Sequence, residues 1–181
     1  MDIRNTLDLL EEKSQHRLEQ AKLPYSRTGL SPVMSSATID YHYGKLYKGY
    51  VDRFNNNEGD RTFNEAGAFL HNILFPQFRA PKNANAPKGK VSDLINKQHK
   101  NFVSFKKNFK EEALKTQGSA WVYLSKSGQI KTIRNHVIKN DIVLLVDMWE
   151  HAYQHDYGSN KSKYLDNIWR IINWDVINQR L

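Results

Sequence analysis

Residues 141–157 read DIVLLVDMWEHAYQHDY, and no other stretch constrains the fold as tightly. The apolar run 142–146 is short and rich in β-branched side chains, as a buried strand should be, and Asp147 closes it where a helical pattern takes over. A strand-to-helix junction is therefore expected. His151 follows Asp147 by four residues, so one turn of helix would return the imidazole to the side on which the carboxylate leaves the strand. Two potential metal ligands would then face one point, flanked by the aromatic bulk of Trp149 and Tyr153, with Glu150 directed elsewhere. A strand-end carboxylate beside an ordinary core histidine would leave the same pattern.

Which ion such a pair could hold depends on the other donors. The 181 residues include no cysteine, which excludes disulfides, zinc-thiolate sites and thiol catalysis. Any metal must be held by His, Asp or Glu, ligands that suit iron and manganese. Lys and Arg number 27 against 19 Asp and Glu, and the resulting net charge of +8 favours anionic partners. No apolar run approaches membrane-spanning length. The N-terminus, with Asp2, Glu11 and Glu12, lacks the apolar core of a secretory signal, so the expected setting is cytoplasmic, or inside a larger intracellular particle, with no membrane contact.

Upstream, residues 1–22 form a polar N-terminal extension in which Ile3, Leu7, Leu10 and Leu18 fall near helical spacing, an added helix that could serve as a docking or oligomer arm. A helical hairpin domain is expected over residues 23–85. Pro24 and Pro32 keep its first part extended, and Ser35 or Ser36 can cap a helix on which His42, Leu46 and Tyr50 share one face. A second helix, residues 63–75, carries His71 among Phe69, Leu70, Ile73 and Leu74, and Pro76 ends it. Two inward histidines on paired helices would approach a shared site, although a lone histidine on such a face is more often a satisfied core residue.

The linker APKNANAPKGK, residues 80–90, marks the boundary to a second domain, residues 86–181. It opens with two helices whose Leu94, Ile95, Phe102, Phe105, Phe109 and Leu114 face inward. Six lysines from Lys97 to Lys115 face water on these helices. Such a run is usually a solvated face, and with no recognised binding motif no nucleic-acid partner is expected. GSAWVYL, QIKTIRNHV and IVLLVD are three strands, with SKSG at 125–128 as a hairpin turn, and a helical tail is anchored by Trp169 and Trp174. The fold class is α+β: a helical hairpin lobe, then a lobe with a three-stranded antiparallel sheet flanked by helices.

These residues resemble the iron/manganese superoxide dismutases. DMWEHAY at 147–153 is similar to the family signature D-x-W-E-H-A-Y, and LPY at 23–25, YHYGK at 41–45, GSAW at 118–121 and NW at 173–174 occur in family order. TFNEAGAFLHN, VSDLINKQHKNF and RNHVIKN look most like the archaeal branch. The resemblance implies one iron or manganese ion per chain, held by His42, His71, Asp147 and His151. It implies disproportionation of superoxide to dioxygen and hydrogen peroxide by one-electron cycling, with Tyr50 and His136 as the catalytic side chains. It also implies a homodimer joined through Glu150 and His151. Two departures stand out: Leu46 replaces a usual gateway histidine, and Gln154 replaces the tyrosine that meets it across the dimer interface. With the extension, these changes motivate an alternative, a structural or assembly subunit of a larger particle that reuses the fold.

Overall fold

The computed structural model describes residues 17–181. Most of the expected N-terminal helix lies outside that range, and residues 17–22, its expected last turn, are irregular rather than helical. They run as a strap over the hairpin, tied to it by hydrogen bonds. Leu18 and Asn55 exchange a pair, with Leu18 N–H donating to Asn55 Oδ1 at 2.8 Å and Asn55 Nδ2 donating to Leu18 O at 2.9 Å.

The first hairpin helix has three parts: α1 (Ser36–Tyr41), a π-helical segment (His42–Tyr47) and α2 (Lys48–Asn55). Ser35 caps it, its hydroxyl accepting from Thr38 N–H at 3.2 Å. The π segment changes which residues face inward. In an uninterrupted α-helix His42, Leu46 and Tyr50 would share a face. The wider turn instead brings Tyr47 inward, onto the rings of His71 and Phe75. Tyr47 is fully buried while Leu46 is only half-buried and outside the core, so the expected place of Leu46 on that face is corrected. The second helix, α3 (Arg61–Leu74), starts at Asp60, whose carboxylate accepts from Phe63 N–H at 2.9 Å, and passes into a 3₁₀ turn (Phe75–Gln77). α2 and α3 cross at Gly67, where a Cβ would lie 2.9 Å from the Tyr50 ring.

After the linker come α4 (Gly89–His99) and α5 (Phe102–Leu114). Phe105, Phe109 and Ala113 face the core, whereas Leu114 is 45% exposed, contrary to expectation: after Phe109 the inward position one turn on is 113. The sheet consists of β1 (Ala120–Ser125), β2 (Ile130–Arg134) and β3 (Ile142–Asp147), antiparallel throughout in the order β2-β1-β3. β1 and β3 are buried along their whole length, which explains the continuous apolar run in β3. Register sets Trp121 on β1 opposite Asp147 at the end of β3. The tail is broken into α6 (Gln154–Tyr157), α7 (Lys161–Asn167), a 3₁₀ turn (Ile168–Ile171) and α8 (Trp174–Asn178). Its Trp169 packs edge-on against Phe102, Phe105 and Phe109.

The two halves are held in register by polar contacts at the end of the hairpin. The Gln77 side-chain amide donates to Leu145 O and accepts from Leu145 N–H at 3.2 Å, tying the end of α3 to β3. Arg79 N–H donates to Ile171 O at 2.8 Å, and Asn85 Nδ2 donates to Trp169 O at 2.9 Å and Ile172 O at 2.7 Å. Among the described residues, no helix is long and apolar enough to cross a membrane.

Candidate metal centre

Four side chains from four elements converge between the halves. His42 opens the π segment, His71 lies in the last turn of α3, Asp147 ends β3, and His151 sits on a 3₁₀ turn (Glu150–Ala152). The expected helical turn after Asp147 is therefore not α-helical. Trp149 is extended and its N–H donates to Asp147 Oδ1 at 2.8 Å, so the carboxylate itself folds the chain back and leaves Oδ2 free to face His151. The four donor atoms lie within 4.8 Å of one another. His42 Nε2 is 3.0 Å from His71 Nε2 and 3.1 Å from Asp147 Oδ2, and His151 Nε2 is 3.3 Å from that same oxygen.

Protonation states follow from the partners. His71 Nδ1 lies 2.6 Å from Gly67 O, a group that only accepts, so the proton sits on Nδ1 and Nε2 carries the lone pair. Burial drives the pKa of His71 well below its ordinary value, and the neighbouring His42 adds to the effect. Burial also lowers His42, against the pull of Asp147. Asp147 is buried as well, which opposes its ionisation, but His151 and His42 outweigh that and hold it well below the usual carboxylate range. The cluster is thus one carboxylate facing imidazole nitrogens, and a buried anion so placed needs a cation. Three nitrogens and one oxygen, with no thiolate, match the preferences of iron and manganese. The residues fit such an ion.

Beside the cluster, His136 links two side chains by hydrogen bonds. Trp121 Nε1–H donates to its Nδ1 at 3.2 Å, and its Nε2 is 3.0 Å from Tyr50 Oη. Burial lowers the His136 pKa to about 4. The ring is therefore neutral with its proton on Nε2, which donates to Tyr50. Burial, reinforced by Asp147, pushes Tyr50 up to about 12, so its hydroxyl keeps a proton and, with its oxygen engaged by His136, is free to donate it to a third group. Trp149 stacks on His136 at 4.6 Å and Phe63 lies against it at 4.6 Å, while Trp121 meets His71 edge-on at 5.0 Å. Tyr153, expected to flank the pair, packs instead against Tyr164, whose hydroxyl donates to Asp147 O at 3.1 Å.

All six side chains singled out from the sequence meet in this one region. Gly67, Tyr47 and Tyr164 did not emerge as site residues. Gly67 had a readable signal, a glycine four residues before a helical histidine, since the i−4 carbonyl is the acceptor nearest to such a ring. Tyr164 had none.

Residues 87–180 match the family described as iron/manganese superoxide dismutases, C-terminal domain, and residues 15–68 match its alpha-hairpin domain. The chain belongs to this family. It is similar to "Superoxide dismutase [Fe]" of Bacteroides fragilis, 37% identical over 90% of this chain and 98% of that protein. It is also similar to "Superoxide dismutase [Mn/Fe]" of Porphyromonas gingivalis, 34% identical over 90% and 98%, and to "Superoxide dismutase [Fe]" of Sulfolobus acidocaldarius, 35% identical over 91% and 93%. The bacterial and archaeal identities are alike, so they do not single out the archaeal branch. The match to the hairpin domain begins at residue 15, earlier than the expected start at 23, and takes in the strap.

Proposed function

We propose that this chain disproportionates superoxide to dioxygen and hydrogen peroxide at a single iron or manganese ion held by His42, His71, Asp147 and His151. The observation that carries this reading is the convergence of three imidazoles and one ionised carboxylate within 4.8 Å, with the His71 lone pair turned to the common point. The bound ion supplies one-electron redox cycling. The donor set carries one negative charge, less than the charge of the ion, so the site stays cationic and admits a small anion. The net charge of +8 raises the local concentration of that anion. Tyr50 is a catalytic side chain, a neutral phenol whose ring lies 5.4 Å from that of His71 and whose hydroxyl keeps a proton to donate. His136 is the second, holding the Tyr50 oxygen through its Nε2 proton. Trp121, Trp149 and Phe63 wall the site against water, which strengthens every electrostatic contact inside it.

The same reading includes a homodimer through Glu150 and His151. Glu150 is exposed on a cleft of about 400 Å³ lined also by Tyr41, Gln154, Lys161 and His151, and it faces outward as a group reaching a second copy would. It includes a cytoplasmic setting. It also divides the chain into a hairpin domain, 23–85, and a second domain, 86–181; the second family match, which starts at residue 87, supports the boundary between them. The assembly-subunit alternative is disfavoured by the complete donor set. The test is metal analysis of the purified protein, then a dismutation assay with each metal reconstituted. Near-stoichiometric metal with rapid turnover is expected; bound metal without turnover, or no bound metal, would overturn the proposal.

A further inference from the structure

His71 is fixed in its own plane by Gly67 O, but that contact leaves the ring free to tilt about the hydrogen bond. Tyr47 lies across its face, with ring centroids 5.3 Å apart and planes within 13°, and extends over Phe75 at 5.7 Å, again within 13°. Tyr47 is fully buried, and its hydroxyl is doubly engaged: it donates to Asn72 Oδ1 and accepts from Ala21 N–H at 2.7 Å. Ala21 N–H is shared with Asn72 Oδ1 at 3.1 Å. The strap that brings Ala21 there is itself held by Gln20 Nε2 to Tyr43 O at 2.7 Å, Tyr43 Oη to Ala21 O at 2.8 Å and the Leu18–Asn55 pair. The π segment makes this arrangement possible, because it sets Tyr47 rather than Leu46 on the face that meets α3.

We propose that Tyr47 is a positioning residue for the metal site: its ring sets the tilt of His71, and the strap at Ala21 clamps its hydroxyl so that the ring cannot swing. This rests on the reading of His71 as a ligand. Groups that orient a metal-binding histidine from behind commonly change metal affinity by about 10–100-fold. Tyr47→Met keeps the core filled with an adaptable apolar side chain but removes the flat face. Tyr47→Phe keeps the face and removes only the hydroxyl.

The experiment uses full-length protein loaded with iron. Metal release to a chelator is timed, the ferric electron paramagnetic resonance spectrum is recorded, and hydrogen exchange is followed at the strap amides. Tyr47→Met is expected to release iron about tenfold faster and to shift the rhombicity of the spectrum. Tyr47→Phe is expected to restore both to near wild type while the Ala21 amide exchanges faster. Should Tyr47→Met not fold, Tyr47→Leu carries the same comparison. A folded Met or Leu variant with wild-type release and spectrum, or a Phe variant as impaired as Met, overturns the proposal. Failure of the underlying ligand assignment looks different: wild type and His71→Ala would then hold the same amount of iron.

Discussion

The two halves of the site hold their histidines in contrasting ways. His71 is fully buried in a 14-residue helix, pinned by a backbone carbonyl and covered by Tyr47, Tyr50 and Trp121. His151 rides on a three-residue turn, its side chain 13% exposed, at the edge of the outer cleft. Packing therefore fixes the hairpin donors whether or not an ion is present. At the strand-end junction Asp147 is held by the turn it makes, and His151 completes the set from the side open to solvent. The proposed metal centre is thus rigid on its hairpin side and closed from the other.

This contrast predicts unequal losses. His71→Ala or Asp147→Ala should abolish metal uptake, whereas His151→Ala, which removes the half-open donor on a short turn, should leave weak residual binding. Elemental analysis with chelator competition separates the cases, and equal loss in all three variants would break the comparison. Next in size is Gly67→Ala. In an ordinary helix interior this change stabilises by about 1 kcal/mol. Here the new methyl would lie 2.9 Å from the Tyr50 ring, whose hydroxyl is tethered to His136, so overpacking reverses the sign and costs about 1–3 kcal/mol. Thermal unfolding of the metal-free protein reads the sign directly.

Much of this architecture is legible in the residues. The unbroken apolar run of β3 announces a strand buried on both faces, and the paired proline-bounded helices announce the hairpin. Asp147 and His151 reveal themselves by spacing. His42 and His71 do not, because a lone histidine in an apolar helix looks like any core residue until the family motif is set beside it. The π segment left no trace in YHYGKLYKGY: a widened turn comes from hydrogen-bond register and from packing against α3, not from local preference, and so Leu46 rather than Tyr47 is placed inward by a 3.6-residue period. The same limit hides Tyr164 Oη at Asp147 O and the strap at Tyr47, contacts that join residues far apart in the chain.

A pH-dependent effect tests the group that holds Tyr50 against the hairpin. His136 has its pKa lowered from 6.5 to about 4 by burial. The folded chain therefore resists a proton that the unfolded chain accepts, and between those values the unfolded state binds more protons. Stability from this group is complete above the unfolded value and is lost as pH falls through the folded one. Denaturant titrations of metal-free protein should show stability declining from about pH 6.5 to pH 4, and His136→Gln should flatten that slope. An unchanged slope would show that His136 is not held neutral.

The smallest effect concerns the open side. Leu46 is half-buried and Gln154 is exposed at the cleft, and by family resemblance both stand where a histidine and a tyrosine meet across two copies. Leu46→His with Gln154→Tyr would restore one hydrogen bond per contact, a net gain of about 0.5–1.5 kcal/mol each at an interface otherwise unaltered. Sedimentation over a concentration series should then show a several-fold tighter dimer, while metal uptake, fixed by the hairpin, stays as it was. Because the two changes form one contact, neither alone should reproduce the gain, and the double-mutant cycle tests the pairing itself. An unchanged profile would count against the proposed homodimer through Glu150 and His151.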